Sequence, residues 1–211
     1  MVGRKGERPV SVPYKLFYRL GFTPWEDAEG IPDFVAELSA LLEREESGDA
    51  PHGSALDLGC GSGIWSVLMA KRGWAVTGVD YSEKALDRAR ERVRSENDDV
   101  KLVRGDVTAL RESGVGSGFR VVLDTGTFHG LGAEQRMAMG REVDAIAADD
   151  AAVFLLAWNP RWRGPFPRGV SHEEIRGAFP GWKLTDEGES SYPPPSFLRA
   201  EEHWYSLHRA G

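Results

Sequence analysis

Asp57-Leu58-Gly59-Cys60-Gly61-Ser62-Gly63 is the segment that most restricts what this chain can fold into. Glycines at alternate positions let a backbone turn sharply and approach a ligand closely, because no Cβ stands in the way. The apolar run Ala55-Leu56-Asp57-Leu58 leads into the segment. A helical pattern from Ser62 to Arg72 follows, closed by Lys71 and Arg72 with Gly73 just beyond. Basic residues in a last turn complement the negative end of a helix, and a glycine past it accepts the left-handed exit. A strand that enters a glycine turn and leaves as a helix is the first half of a crossover, the connection parallel strands require.

The alternation continues. Residues 75–80 read as a second strand, and Ser82 caps a helix whose Ala85, Leu86, Ala89 and Val93 face inward. Residues 100–106, 119–124 and 153–158 read as further strands, with helical stretches near 107–113 and 133–148. Strands alternating with helices imply a parallel sheet covered on both faces. After residue 170 the rhythm changes to a short helix (171–179), a strand (182–190), a proline-stiffened loop (191–197) and a last strand (203–209). The last two strands are expected to form an antiparallel pair closing one edge. Ahead of the sheet, residues 31–45 form an amphipathic helix with Pro32 in its first turn and Phe34, Val35, Leu38, Leu41 and Leu42 in one stripe. Earlier still, Tyr14, Phe17 and Tyr18 share a potential helical face.

The expected fold is therefore α/β: a doubly wound, mostly parallel seven-stranded sheet with an antiparallel edge strand and an N-terminal helical lid. The 211 residues fit one domain. Its parts are a helical segment over 1–50, a ligand-binding core over 54–160, and a short helix with the terminal strand pair over 161–211.

Charge and composition narrow the partners. Twenty-six basic against 33 acidic residues leave a net charge of -7, which argues against a dedicated nucleic-acid binder. Cys60 is the only cysteine, so neither an internal disulfide nor a cysteine metal cage can form. The longest apolar run, residues 151–158, is far short of the roughly 20 residues a membrane span needs. The first thirteen residues lack the apolar core of a secretory signal. The expectation is a soluble, cytoplasmic protein without membrane or nucleic-acid partners.

The glycine segment also discriminates between ligands. A dinucleotide site would continue as G-x-G-x-x-G, but Ile64 takes the place of the third glycine. Asp57, two residues before Gly59, puts a negative charge at the loop. That charge repels a phosphate and attracts an ammonium group, while the helix start offers N–H groups to a carboxylate. Asp80 closes the second strand, where an acid can accept both hydroxyls of a ribose. Asp106 closes the third, within reach of an adenine amino group. An amino acid, a ribose and an adenine together describe S-adenosylmethionine.

LDLGCGSG, VTGVDYS and RGDV, in this order and spacing over residues 54–160, resemble the successive motifs of class I S-adenosylmethionine-dependent methyltransferases. The resemblance implies a Rossmann-like sheet with S-adenosylmethionine as cofactor. It implies that Asp57, Gly59, Gly61 and Gly63 hold the methionine part and Asp80 the ribose. Tyr81 would lie beside the adenine, framed at its edge by Asp106 and Val107, with Asp124 at the end of the fourth strand also on the cofactor.

FRVVLDTGTFHGL is similar to the corresponding segment of small-molecule methyltransferases of the thiopurine and tellurite-resistance type. Their N-terminal aromatic segment resembles YKLFYRLGFTPWE, in which Trp25 would close over the cofactor. Enzymes acting on exocyclic amines of nucleobases show an acid or Asn, two prolines and an aromatic after the fourth strand. Here Asp124-Thr-Gly-Thr stands there, and Asn159-Pro160-Arg161-Trp162 follows the fifth strand instead.

The expected reaction is methyl transfer to a small-molecule acceptor, a thiol or selenol, with a hydroxyl (sugar, phenol or lipid precursor) as the alternative. His129 is the candidate general base, and the competing reading is a packed histidine bonded to backbone. A thiol or selenol ionises without much help, so only a hydroxyl acceptor calls for a base. Cys60 reads as a packing residue. His172, His203 and Arg161 stand where they could reach the acceptor, and Trp158, Trp162 and Phe166 could wall it. Trp158 occupies the place beside Asn159 where a metal-assisted site would need an acid, so no metal is assigned. Two other classes compete: a nicotinamide oxidoreductase, disfavoured by Ile64 and Asp57, and a non-catalytic S-adenosylmethionine-binding regulator.

Overall fold

The computed structural model describes residues 30–46, 51–162, 168–192 and 201–210. Tyr14, Phe17, Tyr18, Trp25 and Phe166 lie outside the described residues.

Helix α1 (Pro32–Glu43) starts on its proline and buries Phe34, Leu38, Leu41 and Leu42. The alternation then runs β1 (Ser54–Leu58), α2 (Ile64–Lys71), β2 (Ala75–Asp80), α3 (Glu83–Glu96), β3 (Val100–Arg104), α4 (Leu110–Ser113) and β4 (Phe119–Thr125). A short 3-10 turn (Phe128–Gly130) leads into α5 (Ala133–Ile146), β5 (Ala147–Trp158), α6 (His172–Ala178), β6 (Trp182–Glu189) and β7 (Glu202–Arg209).

These strands form one seven-stranded sheet in the order β3-β2-β1-β4-β5-β7-β6. The first five are parallel, and β7 lies between β5 and β6, antiparallel to both. The sheet expected from the sequence is thus the one formed, with helix α1 preceding it. Strand order reverses between β1 and β4, so their flanking connections diverge and leave a crevice at the carboxyl ends of the strands.

Two apolar cores cover the sheet. One joins Leu56, Leu58, Val122, Val153 and Leu155 to Met139 and Val143 of α5 and Ile175 of α6. The other joins Ala55, Val76, Leu123 and Phe154 to Phe34 and Leu38 of α1 and Ile64, Trp65 and Met69 of α2. Alternate residues of each strand feed opposite cores, as the period of two requires.

Several element boundaries depart from the sequence reading, and β3 ends at Arg104, two residues short of Asp106. Helix α2 begins at Ile64 rather than Ser62, because Gly63 takes φ 79°, outside helical space. The helix near 107–113 contracts to α4. Strand β5 starts at Ala147, directly at the end of α5, and its register against β4 shifts between Phe119 and Val121. Exposed Asp149 and Asp150 occupy that irregular start, and Asp150 pairs with Arg120 at 3.0 Å. Among the described residues, no helix is long and apolar enough to cross a membrane.

Candidate active site

The glycine turn is fastened to the end of β2. Gly59 and Cys60 donate backbone N–H groups to the Val79 carbonyl at 2.8 and 3.0 Å, and Asp80 Oδ2 accepts the Gly61 N–H at 3.0 Å. Gly59, Gly61 and Gly63 all take positive φ, of 68°, 55° and 79°. At Gly59 space excludes a side chain as well as φ. An added Cβ would stand 2.0 Å from Thr127 Oγ1, whose hydroxyl donates to the Leu58 carbonyl at 3.2 Å. The turn after β4 therefore leans over the turn after β1. Gly63 does the same for the helix layer, where a Cβ would meet Ala89 of α3 at 3.1 Å. The close approach that a dinucleotide site makes at Ile64 occurs here one residue earlier.

Asp57 lies fully buried beneath this turn. Its Oδ2 accepts the Ser66 hydroxyl at 2.6 Å, while Oδ1 has no hydrogen-bond partner among the described residues. Burial, with the nearby charge of Asp80, pushes this carboxyl up to about 7, and the Ser66 hydroxyl opposes the shift. A buried carboxylate oxygen without a donor is costly. A cationic ligand group would satisfy it, so the residues fit an ammonium end.

Asp80 is nearly buried and holds backbone with both oxygens, Oδ2 taking Gly61 and Oδ1 the Ser82 N–H at 2.7 Å. Each carboxylate oxygen accepts two bonds, and with the Tyr81 N–H also bonded to this carboxylate acceptor capacity remains for a ribose hydroxyl. Burial raises this carboxyl, and the Ser82 and Gly61 N–H groups hold it down. Tyr81 is 37% exposed beside it, a flat surface at the strand end. Asp106 is exposed past the end of β3, its Oδ1 accepting the Thr108 N–H and hydroxyl at 2.8 and 2.7 Å. Val107 packs into the core behind it.

Asp124 shapes the opposite wall. Its carboxyl is fully buried: Oδ1 accepts the N–H groups of Gly126, Thr127 and Phe128, and Oδ2 that of Phe128. Burial pushes it up to about 7 against these backbone bonds. It organises the turn that carries Thr127 and His129.

His129 is buried, with its ring stacked on Trp158 at 4.6 Å and 16°. The Trp158 backbone N–H donates to His129 Nδ1 at 3.3 Å. A backbone N–H can only donate, so the neutral ring carries its own proton on Nε2. Packing and backbone bonding thus both occur at this histidine.

Three contributors escaped the sequence reading: Ser66, Arg136 and Glu202. Arg136 of α5 is buried and donates to the carbonyls of Phe128, His129 and Gly169 at 3.1, 3.0 and 3.0 Å. It also pairs with Glu174 of α6 at 3.0 Å. This arginine clamps the His129 turn from behind. Glu202, at the start of β7, faces Trp158 across the strands and accepts its indole N–H.

Cys60 lies within the glycine turn, and the remaining candidates lie on other elements. Cys60 is buried, with its thiol pushed well up by burial. His172 and His203 both bond Asp186, at 3.0 and 3.3 Å. Arg161 is exposed, as is Trp162 at 86%. Among the described residues, no group of three or more His, Cys, Asp or Glu is arranged to hold a metal.

A family model described as a methyltransferase domain matches residues 55–150, the span from β1 into β5. The chain carries a methyltransferase domain. Its fold is that of class I S-adenosylmethionine-dependent methyltransferases. An uncharacterized methyltransferase of Schizosaccharomyces pombe is 28% identical over 122 residues, 58% of this chain and 83% of its own length. A ubiquinone biosynthesis O-methyltransferase of Caulobacter vibrioides is 28% identical over 176 residues, covering 74% of this chain and 69% of its own. Among solved structures, the Burkholderia thailandensis 1,6-didemethyltoxoflavin-N1-methyltransferase with bound 1,6-didemethyltoxoflavin and S-adenosylhomocysteine superimposes with a TM-score of 0.74 at 18% identity. That likeness covers 100% of this chain and 94% of that one, and at such identity it concerns the fold alone. The matches favour no single small-molecule group, so the resemblance narrows to the class I fold.

Proposed function

We propose that this methyltransferase moves the methyl group of S-adenosylmethionine to a thiol or selenol of a small molecule. The observation that carries the donor side is Asp57 Oδ1, buried beneath the glycine turn without a donor. Asp57 with Gly59, Gly61 and Gly63 receives the amino-acid end, and Asp80 the ribose. Tyr81, Asp106 and Val107 border the adenine, Trp25 closes over it, and Asp124 holds the wall between donor and acceptor. When bound, S-adenosylmethionine supplies a methyl group on a sulfonium, open to direct displacement. The protein's task is then to align an acceptor at near-attack distance and keep water out. Residues 54–160 serve the donor, while the segment before residue 50 and the part after 160 shape the acceptor pocket.

The acceptor reading rests on His129. Its Nδ1 already receives the Trp158 N–H, and protonating that nitrogen would break the bond. A soft nucleophile that ionises unaided needs no such proton transfer. A second reading, a hydroxyl acceptor with His129 as base, is favoured by the likeness to the Caulobacter O-methyltransferase over 74% of this chain.

A panel of thiols, selenols, phenols and sugars, followed by S-adenosylhomocysteine release, tests both. Turnover of thiols or selenols at neutral pH supports the first reading, and turnover confined to hydroxyls supports the second. Cofactor binding without turnover on any acceptor would favour a non-catalytic binding protein.

A further inference from the structure

Glu202 is a buried acid that neither the cofactor site nor the family match accounts for. Only 6% of the residue is exposed. One carboxyl oxygen accepts the Trp158 indole N–H, and Oε2 has no hydrogen-bond partner among the described residues. The pairing register sets it directly opposite Trp158, the last residue of β5. That is the carboxyl end of the parallel strands, the edge at which ligands of such sheets lie. The indole in turn stacks on His129. Glu202, Trp158 and His129 thus form one continuous wall from β7 across β5 to the turn after β4.

Among the described residues, the charged groups on the adjoining elements are engaged elsewhere. Glu201 accepts the Asn159 side chain, and His203 bonds Asp186. On α1, Glu37 accepts the Trp204 indole and the Ser191 N–H. Burial therefore dominates this carboxyl and pushes it up to about 7, with the Trp158 indole the one opposing contact. A carboxylate tuned in this way suits general-base work near neutral pH.

We propose that Glu202, not His129, takes the proton from an acceptor too weakly acidic to ionise unaided. This rests on the second reading above, methyl transfer to a hydroxyl, and puts Glu202 in the place given there to His129. The acceptor X–H bond breaks and its proton passes to Glu202 Oε2. The electron pair left on X forms the bond to the methyl carbon while the carbon–sulfur bond breaks, sulfur keeping that pair. S-adenosylhomocysteine and the methylated acceptor leave, and Glu202 returns its proton to water.

Three measurements on the full chain test the assignment. A carbon-13 NMR titration of glutamate carboxyls should show one group titrating near neutrality that disappears in Glu202→Gln. In Trp158→Phe, which lacks the indole donor, that midpoint should move to higher pH. Methylation of thiophenol and of phenol should split: Glu202→Gln loses roughly 100-fold or more on phenol at neutral pH, recovers as pH rises, and keeps its thiophenol rate. The proposal is overturned by any one of four results. These are no glutamate titrating near neutrality, an unchanged midpoint in Trp158→Phe, equal losses or no loss on the two acceptors, or a parent protein that methylates thiophenol but never phenol. Calorimetry with S-adenosylhomocysteine keeps the two claims apart. A parent that fails to bind it refutes methyl transfer itself, whereas normal binding with any of these four results refutes only the role of Glu202.

Discussion

Replacing Gly59 with alanine probes the coupling between the turns that follow β1 and β4. Gly59 sits at φ 68°, and a side chain in that left-handed region costs about 1–2 kcal/mol. The new Cβ would also stand 2.0 Å from Thr127 Oγ1, so the hydroxyl must abandon the Leu58 carbonyl. Losing that hydrogen bond costs about 1 kcal/mol. Rotation gives Thr127 little relief, because it is β-branched and its Cβ and Cγ2 already lie 3.2 and 3.5 Å from the same point. The sum is about 2–3 kcal/mol, which lowers Tm by about 4–12 °C in a chain of this size. Thr127→Ala alone should cost about 1 kcal/mol through the same lost bond. The double variant should be no less stable than Gly59→Ala, since that bond can be lost only once, giving a coupling of about 1 kcal/mol. Urea denaturation of the four proteins measures the cycle. Strictly additive costs, or a Gly59→Ala protein within about 0.5 kcal/mol of the parent, would refute the contact argument.

Two further outcomes follow from buried charges. The folded-state affinity of Asp57 for its proton is raised, from an ordinary 3.8 to about 7. Its contribution to stability is then fully present below about pH 4 and lost as pH rises through about 7. Asp57→Asn should shrink the fall in urea stability between about pH 5 and pH 8 while weakening S-adenosylmethionine binding; an unchanged pH slope contradicts the burial argument. Arg136→Met leaves the buried His129 and Gly169 carbonyls without their donor and takes one of two arginines from Glu174, and should cost about 3 kcal/mol in urea stability. A loss under about 1 kcal/mol would show that the clamp behind His129 is replaceable.

Much of the architecture was legible because it rests on local pattern. Short apolar runs carrying Asp57, Asp80 and Asp124 marked three of the parallel strands, and the stripe of α1 is buried where its period placed it. The start of β5 was hidden because Asp149 and Asp150 break its apolar pattern, and only the irregular register with β4 makes strand there. Arg136 was hidden for another reason. An arginine among polar residues on a helix reads as solvated, and only the packing of α5 against α6 and the His129 turn buries it. Glu202 is indistinguishable in sequence from Glu201. What separates them is the register of β7 on β5, which turns one toward the Trp158 indole and the other toward Asn159. Asp124 shows the reverse case, a residue singled out by position whose carboxyl is bound to the backbone of its own turn.

Titration calorimetry of the parent protein and Asp80→Asn with S-adenosylhomocysteine, beside NAD, tests the nucleoside assignment most directly. The parent should bind S-adenosylhomocysteine and give no heat with NAD. The variant should bind roughly 100-fold more weakly, as expected when charge-assisted bonds to two ribose hydroxyls are lost. Equal affinity in the two proteins, or saturable binding of NAD by the parent, would contradict it.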